Sequence, residues 1–191
     1  MKKSKRLKKS NTWKIKQHRD PFFKKSKTLG YRSRASFKLI ELNKKFKFIK
    51  KNTNLLDLGS FPGGWSQVAR KIISNGKIMS VDIKQMIPIK NVQFLNCDFF
   101  ESNTKDKIKD YFKENLDVII SDMAANTTGN KSLDSIRTNQ LCTEVMHFSS
   151  KILKNDGVFV SKLFMGEDFN DVKNLAKSLF KNVNFFKPEA S

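Results

Sequence analysis

Short apolar runs alternate with helical patterns along most of this chain. From Asn54 onward the pattern predicts a strand over Asn54–Leu58, a helix over Trp65–Ser74, and strands over Lys77–Ile83 and Val92–Asn96. It then predicts a helix over Asp106–Asn115, a strand over Leu116–Ser121 and a long helix over Leu133–Lys154. A strand over Gly157–Phe164, a helix over Phe169–Phe180 and a strand over Val183–Lys187 complete the series. Upstream, Ser33–Phe46 spaces Phe37, Ile40 and Phe46 among basic residues as a short amphipathic helix does, and Lys38 falls on it. Residues 1–20 show no apolar periodicity and read as a disordered basic arm, with one folded domain expected over 21–191.

Strand and helix in repeated alternation imply an α/β fold, a doubly wound, mostly parallel sheet of the Rossmann-like kind with helices on both faces. Such sheets bind ligands at the carboxyl ends of their strands, near the point where strand order reverses. The predicted strand ends carry Asp57, Asp82, Asp98, Asp122 and Lys162. One such Asp is often only a helix cap or turn former. Their recurrence beside a glycine-rich loop points instead to chemistry.

The charge distribution narrows the partner. The net charge is +20, and residues 1–51 hold 20 Lys and Arg against Asp20 and Glu41, while the remaining 140 residues are close to balance. A basic segment on a near-neutral domain is the footprint of a polyanion binder, with nucleic acid ahead of a membrane because no amphipathic apolar face accompanies the early lysines. No apolar run approaches the roughly 18 to 20 residues of a membrane span, and the lysine-rich start lacks the apolar stretch of a secretory signal. The expected compartment is the cytoplasm. Cys97 and Cys142 lie far apart without ligand spacing, so neither a metal site nor a disulfide is expected.

Residues 55–65, Leu-Leu-Asp-Leu-Gly-Ser-Phe-Pro-Gly-Gly-Trp, follow the first strand and open the first helix of the alternation, the position of a cofactor loop. Its glycines let the backbone turn tightly and approach a ligand. It is not GxGxxG, which disfavours a dinucleotide-binding oxidoreductase. Asp57 beside Gly59 would repel a diphosphate but suits a cofactor bearing an amino group and a sulfonium, as S-adenosylmethionine does. Asp82, about 20 residues on, is placed to accept from ribose hydroxyls, and Asp98 could accept from the adenine amino group with Phe99 against the ring.

Several segments together resemble the FtsJ/RlmE-type ribose 2′-O-methyltransferases: Arg32-Ser33-Arg34-Ala35-Ser36-Phe37-Lys38-Leu39, the Asp57–Gln67 loop, Ser121-Asp122-Met123-Ala124, Lys162-Leu163-Phe164-Met165-Gly166 and Lys187-Pro188. The resemblance implies S-adenosylmethionine as methyl donor and, as substrate, a uridine ribose in large-subunit ribosomal RNA, within the large ribosomal subunit, with the enzyme a monomer. It places cofactor contacts at Gly63, Trp65, Asp82, Asp98 and Asp122, and assigns Lys162 as proton acceptor with Lys38 and Asp122 beside it. Ala125 departs from the family's proline. The resemblance also implies a last strand with a glutamate completing a Lys-Asp-Lys-Glu tetrad. The chain as given ends at Ser191 and Glu189 is not in that position, so this strand is expected to be missing. Two alternatives stand beside the enzyme: a non-catalytic RNA-binding ribosome-assembly factor, and a transfer RNA 2′-O-methyltransferase of the same family.

Deleting residues 1–20 removes nine Lys and Arg and one Asp. RNA affinity should fall and the slope of log K against log salt should become shallower, with cofactor affinity unchanged. An identical salt slope for the truncated protein would show that the arm makes no phosphate contacts.

Overall fold

A strand covered by helices on both faces needs apolar side chains at successive positions, and the two innermost strands of this chain meet that demand. In the computed structural model, which describes residues 20–191, β1 (Leu55–Leu58) is buried throughout and β4 (Leu116–Ser121) nearly so. Beside β1 lies β2 (Ile78–Asp82), and the edges are β3 (Gln93–Asn96) and β5 (Leu153–Ser161). The order is β3-β2-β1-β4-β5 and every pairing is parallel, the doubly wound α/β sheet expected from the alternation. The disordered arm expected at the start of the chain lies, apart from Asp20, outside the described residues.

Six helices accompany the sheet among the described residues: α1 (Pro21–Thr28), α2 (Ala35–Phe46), α3 (Gly64–Ile72), α4 (Ser102–Phe112), α5 (Lys131–Ile152) and α6 (Phe169–Leu179). Successive strand residues serve opposite faces. Leu56, Leu58, Val81 and Ile119 pack on Ile108 and Phe112 of α4 and Val145 and Phe148 of α5. On the other face Leu55, Ile78, Val118 and Ile120 pack on Leu39 of α2 and on Trp65, Val68 and Ala69 of α3. Outside α5, a smaller cluster joins its Cys142 and Met146 to Val172 and Ala176 of α6.

Helix α1, absent from the pattern of apolar spacing, owes its start to capping. The Asp20 carboxylate accepts from the N–H groups of Phe22 and Phe23, and Pro21 occupies the first turn, where its missing N–H costs nothing. The helix is held to α2 by Phe22 against Phe37, ring centroids 5.6 Å apart, and by the Arg34–Asp20 ion pair.

Two expected strands differ in extent. The ladder of β5 with β4 ends at Ser121 and Ser161, with one further bond from Lys162 N–H to the Ser121 carbonyl, so Leu163 and Phe164 lie beyond the sheet. Val183–Lys187 is not a strand: it has no ladder partner among the described residues, and a strand exists only through its pairing.

Ile119 and Ile120 are fully buried on opposite faces of β4. Replacing either with Ala should lower the unfolding free energy by about 2–5 kcal/mol, read from denaturant midpoints. A loss below about 1 kcal/mol at either position would show that its face of the sheet is loosely packed.

Candidate active site

Strand order reverses between β1 and β4: from β1 the chain moves outward to β2 and β3, then returns to build β4 and β5. The register pairs Leu58 with Ser121, so the loops beginning at Gly59 and Asp122 leave the sheet side by side. Contact there is close enough to exclude a side chain on Gly59. A Cβ would overlap the Met123 side chain and stand 3.1 Å from the Met123 Cα, and Gly59 also has φ +71°.

The glycine loop then caps α3. Gly63 has φ +102° and donates its N–H to the Ser60 carbonyl at 2.6 Å. The first N–H groups of α3, from Gly64 to Ser66, have no acceptor within the helix. The Trp65 indole is turned away from this rim. It is 5% exposed, and its Nε1–H donates to the Ala35 carbonyl at 2.7 Å, tying α3 to α2. Only the main chain of Trp65 therefore faces the loop's mouth.

The four strand-end carboxylates differ in surroundings. Asp57 is buried beneath the loop, accepting from Ser66 Oγ, which is itself 2.7 Å from Ser80 Oγ. Burial pushes the Asp57 carboxyl up to about 7, against the lowering effect of the Ser66 hydrogen bond and with help from the charges of Asp122 and Asp82. Asp82 stands at the rim, where its two oxygens accept from the N–H groups of Phe61 and Lys84, each at 2.8 Å. Asp98 accepts from Phe100 N–H at 2.9 Å. Phe99, expected against a bound adenine, is buried in the core 5.3 Å from the Phe148 ring; Phe100 is the exposed aromatic here.

Asp122 gathers the cations. Its Oδ1 lies 3.6 Å from Lys38 Nζ and 3.5 Å from Lys162 Nζ, and Lys162 also donates to the Asp122 carbonyl at 3.2 Å. Three elements meet here: α2 brings Lys38, the end of β4 brings Asp122 and the end of β5 brings Lys162. Burial, the largest influence, holds Lys162 below the ordinary lysine range; the Asp122 charge pulls it back up and the Lys38 cation pushes it down again. A lysine held below its ordinary range gives up its proton more readily than a free one, which is what a group that accepts protons needs. Both ion pairs of the cluster end on Asp122, whereas Glu189 donates its main-chain N–H to Glu41 of α2.

The match of an FtsJ-like methyltransferase family model to residues 31–191 spans every element of this site. The chain belongs to the FtsJ-like methyltransferase family. A Pelagibacter ubique relative described as ribosomal RNA large subunit methyltransferase E is 44% identical over 182 residues, covering 95% of this chain and 90% of its own length. A Rickettsia akari relative of the same description is 44% identical over 193 residues, covering 98% of this chain and 85% of its own length. Among solved structures, a Plasmodium falciparum chain described as a ribosomal RNA methyltransferase superposes with a TM-score of 0.78 at 35% identity, over 84% of this chain and 93% of that one.

Two residues that its sequence did not mark as site residues shape the site of this methyltransferase. Arg32 ties the glycine loop to the loop after β2, its guanidinium donating to the carbonyls of Pro62, Ile87 and Pro88. Asn139, fully buried in mid-helix, bonds the main chain just past Lys162. The one signal for Asn139 is a polar residue on the buried stripe of α5, where helix formers are expected.

Because the folded-state Asp57 carboxyl titrates near 7 and an unfolded one near 3.8, the folded protein holds the extra proton between those values. The stability tied to that proton is complete below the unfolded value and is lost as pH rises through about 7. Asp57→Asn, neutral throughout, should therefore gain on wild type in denaturant midpoint between pH 4.5 and 7.5. A difference that does not change with pH would show that Asp57 ionises normally.

Proposed function

We propose that this methyltransferase moves a methyl group from S-adenosylmethionine to the 2′-hydroxyl of a uridine ribose in large-subunit ribosomal RNA, with Lys162 as proton acceptor. The observation that carries the reading is the convergence of Lys38 and Lys162 on Asp122, directly beside the glycine loop. The relatives described as ribosomal RNA large subunit methyltransferase E support the substrate class. So does the charge around Lys38: α1 carries Lys24, Lys25 and Lys27, and the last turn of α2 carries Lys44 and Lys45. Under this reading the protein acts as a monomer in the cytoplasm, on RNA within the large subunit. No helix among the described residues is long and apolar enough to cross a membrane.

The residues present fit the cofactor. Gly59 and Gly63 turn the loop at positive φ, and a side chain at either would press on Met123 or Arg32 and displace the loop that would hold the donor. The main-chain N–H groups at the start of α3, Trp65 among them, suit the donor's carboxylate. Asp82 suits its ribose hydroxyls, Asp98 its adenine amino group, and the exposed Ile83 and Phe100 its ring. Asp57 acts from beneath by charge rather than by contact, since its carboxylate is already bonded to Ser66. When bound, the cofactor supplies a methyl group activated by a sulfonium.

What remains for the chain is to place a hydroxyl and remove its proton. Lys162 Nζ, kept below the ordinary lysine range, takes that proton when it is neutral. Lys38 supplies the second cation that disfavours a charged Lys162, while Asp122 holds both amines in place and faces the cofactor loop. An intact Lys-Asp-Lys cluster favours an enzyme over a non-catalytic assembly factor, which would have no use for it.

Arginine keeps the charge opposite Asp122 but cannot give up its proton. Lys162→Arg and Lys162→Ala should both lower turnover about 10²- to 10⁴-fold. Cofactor affinity by calorimetry should stay within about twofold for each, because no cofactor contact is removed. Nucleoside digests of rRNA treated with wild type should contain 2′-O-methyluridine. Near-normal turnover by Lys162→Arg would reject Lys162 as the proton acceptor.

A further inference from the structure

The segment just past β5 leaves the sheet at an edge, where no strand among the described residues takes up its main-chain groups. Phe164 nevertheless has both of its own satisfied, and by a single side chain. Asn139 Nδ2 donates to the Phe164 carbonyl at 3.1 Å, and Asn139 Oδ1 accepts from the Phe164 N–H at 2.9 Å. The same Nδ2 also donates to Asp168 Oδ1 at 2.8 Å, closing the loop onto its own far end. Asn139 is fully buried, so this amide is a fixed fitting. It stands in for the strand that would otherwise pair with Phe164.

Phe164, held in this way by its main chain, is 41% exposed, with Met165 beside it 82% exposed. Lys162 Nζ lies 5.7 Å from its centroid. An exposed aromatic side chain beside Lys162, on a main chain fixed in place, offers a face to whatever the site binds. The occupant must come with the substrate. A 2′-hydroxyl and the base of the same nucleotide are joined through neighbouring ribose carbons, so a base lying against Phe164 brings its own ribose alongside Lys162. A nucleotide drawn out of its RNA stack into an enzyme site loses its neighbours, and an aromatic side chain replaces them.

We propose that Phe164 is the stacking platform for the base of the acceptor nucleotide, and that Asn139 is the positioning residue that holds this platform at Lys162. The proposal rests on the 2′-hydroxyl reading above. Stacking tolerates any base, so Phe164 supplies affinity and alignment rather than base identity.

The test is steady-state methylation of large-subunit rRNA by the full chain carrying Phe164→Ala, Phe164→Leu, Phe164→Tyr or Phe164→Trp, with cofactor affinity measured alongside. Phe164 is exposed, so these variants should fold. Ala and Leu should raise KM for RNA roughly five- to hundredfold, while Tyr and Trp should stay within about threefold of wild type. Cofactor Kd should not move in any of them. Asn139→Ala should raise KM in the same direction, and should add little to it when combined with Phe164→Ala, as expected of two residues acting through one platform. A wild-type KM for Phe164→Leu would overturn stacking, and full additivity in the double variant would overturn the positioning role of Asn139. The site of the methyl group in nucleoside digests judges the 2′-hydroxyl reading separately: a base-methylated product would reject that reading whatever the KM values.

Discussion

The contact between Gly59 and Met123 is the constraint on which the site depends. Parallel pairing of β1 with β4 sets Leu58 opposite Ser121, so two loops with different tasks must leave the sheet from adjacent positions. They can do so only because residue 59 has no Cβ and accepts a positive φ. The glycine loop turns toward β2, where Asp82 receives its Phe61 N–H, and the Asp122 loop turns toward β5, where Lys162 waits. Bringing a methyl donor and a proton acceptor together is most of what the proposed chemistry asks of a protein, and under that reading strand order and one missing side chain supply it.

Electrostatics divides the two sides of that contact. On the donor side, Asp57 is buried so deeply that its carboxyl titrates near neutrality, which leaves a latent negative charge under a loop suited to a cationic ligand. On the acceptor side, two lysines share one carboxylate, an arrangement that leaves an excess positive charge in a partly buried place. Burial, and to a smaller degree the Lys38 cation, opposes protonation of Lys162 against the pull of Asp122, which keeps the two amines together. The like-charge pair raises a cost that the surrounding packing has to meet, and α2 meets it through Leu39 in the core and Ser36, whose Oγ donates to the Gly64 carbonyl.

Helix α5 organises the acceptor side in the way that α3 organises the donor side. From successive turns it sends Asp134 to the main-chain N–H groups of Thr128 and Gly129, Thr138 to that of Ala125, and Asn139 to Phe164. The loops after β4 and β5 are thus pinned by side chains from one helix rather than by strand neighbours. Ala125, where the family has proline, keeps an N–H for Thr138 to bind. A proline at this position would have no N–H to donate.

Much of the fold was legible in the sequence because it is local in origin. Strand and helix alternation follows from apolar spacing, and the residues that end strands fall at the carboxyl edge of a parallel sheet whatever the details, so Asp82, Asp122 and Lys162 could be placed there in advance. Helix α1 was not legible in the apolar spacing because its start rests on capping by Asp20. Val183–Lys187 has the apolar content of a strand, but pairing is a property of two segments, and the second is absent among the described residues. The direction each side chain takes was likewise decided in three dimensions. Asp57 turns inward to Ser66 while Asp82 turns to the rim, Trp65 buries its ring against α2, and Phe99 enters the core while Phe100 stays out. Arg32 and Asn139 gain their roles from carbonyls and amides 25 or more residues away. The sequence by itself determined which chemical groups arrive at the end of each strand, because periodicity acts over neighbouring residues; only the tertiary structure decided which of them face one another, because burial and hydrogen bonding act between segments that the chain's order does not bring together.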